Sequence, residues 1–260
     1  MVAHPRGSVK NAAGRTGMGC IMGSKNLKAV AARGTMDIRI AHPVEALEYN
    51  KRFIEQITSS KVNQTQGARG TPFIWGATNS WGGVRTRNFQ YNQLEYADDV
   101  EPERIDEIAT ETMGPYHMTG CFGCQVHCRA QYKIPSGPYK GKYDEGPEYT
   151  SQGAFAGEPD CRSAETVLVG NHLVNQYGVD NLEIGSLISW AMELFELGIL
   201  TREQTDGLDL RFGNDEALIE MIHRVSQRKG FLGNALADGG VAASEAIGKN
   251  SFDYLIQVKG

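Results

Sequence analysis

The chain is 260 residues long, 40% hydrophobic and 22% charged, the composition of an ordinary globular protein with room for one large or two small domains. Its formal net charge of −5 gives no electrostatic footing on nucleic acid or an anionic membrane surface. No apolar run nears the roughly 18 residues of a membrane span, no apolar stretch at the N-terminus marks a secretory signal, and the 31 glycines show no repeat period.

Residues 1–34 are rich in Gly, Lys and Arg. Leu27 to Ala32 reads as a short strand closed by Gly34, with sheet partners expected elsewhere. From Pro43 the pattern is helical. Val44, Leu47, Phe53, Ile54 and Ile57 place apolar residues on a helix over 44–57. Residues 58–100 are polar and Gly-rich and read as loops and short turns, anchored by Phe73, Trp75 and Trp81. A second helix is expected over Glu103–Met113, ahead of a cysteine loop. Residues 136–157 read as irregular. A third helix runs over Ser163–Tyr177, with Gly178 as a left-handed C-cap. A fourth, over Asn181–Leu197, has the clearest period and ends at Gly198. Thr201 and Gln204 have capping-box spacing. Asn214 or Asp215 can cap a helix running to about Lys229, and Ala235–Ile247 reads as a last one. Phe252 to Gly260 reads as a strand. The fold expected is mainly α.

Five cysteines are present, at 20, 121, 124, 128 and 161. An odd count with three clustered fits a disulfide framework poorly, and a reduced, cytoplasmic, metal-binding protein better. Cys121, Cys124 and Cys128 are spaced by two residues and then three. That suits a thiolate iron–sulfur site, with Gly123 letting the loop bend. Zinc, with His117 or His127 completing the ligands, is the competing reading; three unrelated thiols are another. Gly14, Arg15, Thr16, Gly17 and Gly19 offer unobstructed amides beside a cation, which suits a phosphate, or else form a turn with a solvated Arg. Asp144, Glu145 and Glu148 surround a Gly-Pro turn, where a buried carboxylate can be an acid or base and a solvated one is only a turn. Asn175, Gly178, Val179 and Asp180 join two helices, either as back-to-back caps or as polar groups able to hold a heterocycle. Glu220 and His223 share a helical face, and Arg85 and Arg87 read as structural or anion-binding.

In this order the motifs resemble the aldehyde ferredoxin oxidoreductase family. The resemblance is carried by Ala13 to Val30, Thr86-Arg87-Asn88-Phe89, the cysteine loop, Gly146-Pro147-Glu148-Tyr149, and Gly178-Val179-Asp180 with Ala191-Met192-Glu193-Leu194. It implies a tungsten or molybdenum ion held by two pterins beside a [4Fe–4S] cluster, with magnesium bridging the pterin phosphates. Aldehydes would be oxidised to carboxylates and the electrons passed to ferredoxin, in a protein that is a homodimer at full length. Arg15, Thr16, Gly17 and Gly19 would bind pterin phosphates. Cys121, Cys124 and Cys128 would ligate the cluster, and Glu148 would act near tungsten as acid/base or water-orienting group. Asn175, Gly178, Val179 and Asp180 fall on a pterin motif whose first position is Asp in the family.

The resemblance also implies a partial chain. Residues 1–43 would end an N-terminal β-rich pterin domain, 44–250 form a helical domain, and 251–260 begin a third. The fourth cluster thiolate and a catalytic His would then lie beyond this sequence, since the resemblance assigns that role to neither Cys20 nor Cys161, and residues 1–260 alone would not retain both pterins. Some members bridge subunits through an iron held by two Glu-x-x-His motifs; here one reads Val169-x-x-His172, which speaks against that iron. Relatives that reduce aromatic thioesters lack the Gly-Pro-Glu-Tyr turn, so its presence points toward aldehyde oxidation.

Overall fold

The structure, a computed structural model, describes residues 17–258 except Phe122. It is mainly α, with eleven α-helices and one small sheet among the described residues. Helix α1 (Met18–Ser24) buries none of its residues. Helix α2 (Pro43–Ser59) begins with Pro at its first position, a donor-free start that needs no N–H partner. Its apolar stripe forms as the spacing predicts, yet Val44, Leu47 and Phe53 stay exposed.

Helix α3 (Lys61–Arg69) and helix α4 (Trp75–Ser80) lie where the sequence reads as loop. Helix α3 lacks an apolar period. It is held instead by polar ties to the end of α2: Asn63 Nδ2 donates to Ile57 O and Gln64 Nε2 to Thr58 O. Helix α5 (Pro102–Met113) turns Ile105, Ile108 and Ala109 inward. The sheet is antiparallel, in the order β1 (Met118–Thr119), β2 (Arg129–Lys133), β3 (Tyr143–Glu145), with Met118 opposite Ala130 and Tyr132 opposite Asp144. Strand β3, helix α6 (Tyr149–Gln152) and a π-helical turn over Gly153–Gly157 replace the irregular stretch expected at 136–157.

Helix α7 (Ala164–Tyr177) and helix α8 (Asn181–Glu196) form the centre. Ser163 Oγ accepts from Thr166 N, and Asp180 Oδ1 from Leu182 N and Glu183 N, so each helix starts with its first donors satisfied. The π-turn is wedged against both helices. A Cβ at Gly170 would meet the Phe155 ring at 2.7 Å, and one at Gly185 would meet Ala154 O at 2.6 Å. Only glycine permits that approach, and it buries Ala154, Phe155 and Ala156 completely.

Helix α9 (Asp215–Gln227) is capped by Asn214, as the sequence suggests, but stops at a left-handed Arg228 rather than running to Lys229. Gly230 then opens α10 (Gly230–Leu236). The single helix expected over 235–247 is broken at Gly239, whose φ of 93° no helix accommodates, and resumes as α11 (Gly240–Ile247). The Thr201 box closes reciprocally, Gln204 N donating to Thr201 Oγ1 and Thr201 N to Gln204 Oε1, but it opens a turn and no helix.

Neither expected strand forms among the described residues. Leu27–Ala32 lies exposed with no strand beside it, and an unpaired strand leaves its backbone groups to water. At the other end, Ser251–Tyr254 is a 3₁₀ turn whose carbonyls are taken by side chains: Ser251 O accepts from Trp190 Nε1 and Tyr254 O from Asn88 Nδ2. Residues 255–258 carry no strand, and 259–260 lie outside the described residues.

Candidate functional site

The cysteine loop leaves β1 and returns as β2. Cys124 N donates to Cys121 O, tightening the turn, and Gly123 takes a φ of 74° within it. Cys121 is exposed, while Cys124 and Cys128 are half-buried. Val126 N donates to Cys124 Sγ at 3.4 Å, and Arg129 Nη2 lies 3.7 Å from Cys121 Sγ. Both contacts supply positive character to sulfur. Arg129 in turn faces the buried Glu145 across 3.8 Å. Burial pushes the Cys128 thiol up first, and the charges of Glu148, Cys124 and Cys121 add to it. The three thiols and Glu148 therefore share one electrostatic neighbourhood.

Helix α3 and the segment after it form the other wall. A Cβ at Gly67 would fall 2.5 Å from Val126 O, and one at Gly70 would fall 2.9 Å from Cys128 O. Gly70 also has φ 70° and ψ −174°, a region open to glycine alone. The next residue, Thr71, donates from Oγ1 to Glu148 Oε2 and accepts from Tyr149 N at 2.9 Å. So Gly70-Thr71 runs directly from the cysteine loop to the carboxylate. A Cβ at Gly146 would press on the Asn171 side chain at 3.1 Å. Glu148 is half-buried at the start of α6.

Beneath that turn lies a buried polar network. Asp144, fully buried, accepts from His172 Nδ1 at 2.7 Å and from Asn175 Nδ2 at 3.1 Å. Asn171 Nδ2 donates to Glu145 O and to the Tyr132 hydroxyl, while Asn171 Oδ1 accepts from Ser151 Oγ. Asn181 Nδ2 donates to the same Ser151 Oγ, so the network reaches the first residue of α8.

The model of the aldehyde ferredoxin oxidoreductase family covering its domains 2 and 3 matches residues 48–260. The chain belongs to that family. A tungsten-containing aldehyde ferredoxin oxidoreductase of Pyrococcus abyssi is 33% identical over 252 residues, 95% of this chain and 40% of that protein. The WOR-like subunit of an aliphatic sulfonate oxidoreductase of Pyrococcus furiosus is 29% identical over 255 residues, covering 96% of this chain and 39% of its own length. Among solved structures, the active-site complex BamBC of benzoyl coenzyme A reductase shares the fold, with a TM-score of 0.67 at 23% identity over 92% of this chain and 36% of that one. The chain thus spans about 40% of the length of these relatives.

Among the described residues, no three His, Cys, Asp or Glu side chains converge on a single point as one ion requires. A four-iron cube takes each thiolate on a different iron, and the donors beside Cys124 and Cys121 sulfur suit thiolates in such a role. The ring nitrogens of His117 meet Gly114 O at 3.0 Å and Asp106 Oδ1 at 2.9 Å. His223 is held between the hydroxyls of Tyr139 and Tyr177, and Glu220 pairs with Arg224, so this family motif is occupied by its own neighbours.

The pterin-side residues are not all brought together. Arg15 and Thr16 lie outside the described residues. Gly17, with φ 71°, precedes α1, which contains Gly19. Gly178 is the left-handed cap of α7, Val179 packs on the core, and Asp180 fills the first amides of α8. The amides of Leu182 and Glu183 at this corner are therefore taken by Asp180. The Asn175 amide is oriented by Asp144, to which its Nδ2 donates. Thr71 and Asn171 are not singled out by the sequence; Thr71 lies in the 58–100 stretch that reads there as loops and short turns.

Proposed function

We propose that this chain is part of a tungsten–pterin oxidoreductase that oxidises aldehydes to carboxylic acids and delivers the electrons through a [4Fe–4S] cluster to ferredoxin. The observation that carries this reading is the junction of Cys128, Gly70, Thr71 and Glu148, which sets the three-cysteine loop and a half-buried carboxylate on one short path. The curated relatives named as tungsten-containing aldehyde ferredoxin oxidoreductases support the substrate class. Cys121, Cys124 and Cys128 hold three corners of the cluster. Arg15, Thr16, Gly17 and Gly19 would hold pterin phosphates together with magnesium, and Asn175, Gly178, Val179 and Asp180 would contribute to holding a pterin. Residues 1–43 belong to one pterin domain, 44–250 to the helical domain and 251–260 to the start of a third. The complete protein is a cytoplasmic homodimer. No helix among the described residues is long and apolar enough to cross a membrane.

The overall change is RCHO + H₂O → RCOOH + 2 H⁺ + 2 e⁻. The bound metal centre supplies the two-electron oxidation. Glu148 accepts a proton from water as its oxygen adds to the carbonyl carbon, and later releases it to solvent. Arg129, beside Cys121, offsets the negative charge that an electron brings to the loop.

Glu148→Gln in the intact, tungsten-loaded protein tests the proposal. The expected loss is about 10²-fold or more in kcat with tungsten and iron content unchanged; wild-type turnover removes Glu148 from the mechanism. A panel with an aldehyde, an aliphatic sulfonate and an aromatic thioester tests the substrate class. Turnover of the sulfonate alone would move the chain toward its sulfonate-oxidising relative.

A further inference from the structure

The proton count at Thr71 says which oxygen of Glu148 works. A hydroxyl has one proton to give and two lone pairs to receive. Thr71 Oγ1 receives Tyr149 N–H at 2.9 Å, and its own proton goes to Glu148 Oε2. One hydroxyl thus grips both the side chain of Glu148 and the amide of the following residue. The platform beneath it is stiff. Gly70 is pressed against the Cys128 carbonyl in a conformation other residues avoid, and the buried Pro72 fixes φ on the other side. Glu148 Oε1, in contrast, has no hydrogen-bond partner among the described residues, and Glu148 is half-buried rather than sealed.

Building on the reading of Glu148 as the working carboxylate, we propose that Thr71 is a positioning residue. It pins Oε2 as a permanent acceptor and turns Oε1 toward the reacting water. A general base held by one oxygen keeps its other lone pairs in a single direction, and misplacement of such a group by about 1 Å is worth on the order of 10²-fold in rate. The simpler alternative is that Thr71 only satisfies the first amide of α6. The two ideas differ in what a second substitution does.

The test uses Thr71→Val, Thr71→Ser, Glu148→Gln and Thr71→Val/Glu148→Gln in the intact, tungsten-loaded protein. Thr71→Val keeps the shape and loses the proton, so kcat is expected to fall at least about tenfold with KM within about twofold. Thr71→Ser keeps a hydroxyl and restores most of the rate. In the Glu148→Gln background Thr71→Val adds no further loss, because Thr71 acts only through the carboxylate. A separate readout is the Glu148 carboxyl carbon resonance in this chain labelled with carbon-13 at Glu, assigned by its disappearance in Glu148→Gln. It moves in Thr71→Val and stays in Thr71→Ser. Wild-type kcat in Thr71→Val, an unmoved resonance, or an equal loss in both backgrounds overturns the proposal. If Glu148→Gln turns over normally while Thr71→Val is slow, the Glu148 reading fails on its own and Thr71 acts by another route.

Discussion

Replacing Asn171 by Ala should be among the more costly single changes in this chain, although the side chain touches no proposed ligand. The residue is buried at 6% exposure on α7, and its amide makes three hydrogen bonds, to Glu145 O, the Tyr132 hydroxyl and Ser151 Oγ. Each is worth about 1 kcal/mol net. The partners fare differently once the amide is gone. The Tyr132 hydroxyl still donates to Leu168 O and Ser151 Oγ still accepts from Asn181 Nδ2. The Glu145 carbonyl, on a buried residue, loses Asn171 Nδ2 as its donor, and stranding such a group costs about 1–3 kcal/mol. The expected loss is therefore about 3–5 kcal/mol, a large share of the roughly 5–15 kcal/mol that holds a domain together. Equilibrium urea unfolding followed by Trp fluorescence measures it, with Trp75 and Trp190 both buried reporters. A cycle with Ser151→Ala should show a coupling of about 1 kcal/mol, since the two residues share a bond. A loss below about 1 kcal/mol with an unchanged denaturant slope would show that the network is not holding the Glu148 turn.

Gly70→Ala combines a left-handed φ with a Cβ 2.9 Å from Cys128 O, so it should cost about 2–4 kcal/mol and loosen the cysteine loop. Thermal unfolding and limited proteolysis between residues 118 and 130 check this, and an unaltered melting curve would refute the close approach. Alkylation of the metal-free chain should label Cys20 and Cys121 quickly and leave Cys161 untouched until unfolding, because Cys161 is fully buried and burial holds its thiol well above the ordinary range. Early modification of Cys161 in peptide mass maps would contradict its burial. Glu158 is raised above the ordinary carboxylate range, by burial first and against the pull of Arg85 and of the Ser186 hydroxyl. In the window between its unfolded and folded pKa the native state binds the extra proton, so this group's stabilisation is full at the acid end and declines as pH rises. Unfolding free energies at pH 4, 5, 6 and 7 should fall less steeply in Glu158→Gln than in wild type; parallel profiles would show that burial does not govern this group.

What could be read from the sequence follows from the range of the interactions involved. Helices α5, α7, α8 and α9 are legible because their signals are local: apolar spacing, Asp180 and Asn214 as caps, Gly178 as a left-handed stop. Helix α3 was not, because its sequence has no apolar face and its stability comes from amide side chains bonded back to α2. The strand expected at residues 27–32 and the one expected from Phe252 failed for the same reason in reverse: a β-like pattern is local, while a ladder partner is not, and the carbonyls of Ser251 and Tyr254 went to Trp190 and Asn88 instead. The candidate site divides along the same line. Cys121, Cys124, Cys128 and Glu148 stand in short motifs whose spacing is itself chemistry. Thr71 acts on Glu148 from 77 positions away and Asn171 on Glu145 from 26, distances over which no periodicity carries. A motif can thus name the groups that react, while the groups that aim them are found only where the chain folds back. The glycines at 67 and 70 are the trace of that folding left in the sequence: each marks a carbonyl of the cysteine loop passing too close for a side chain.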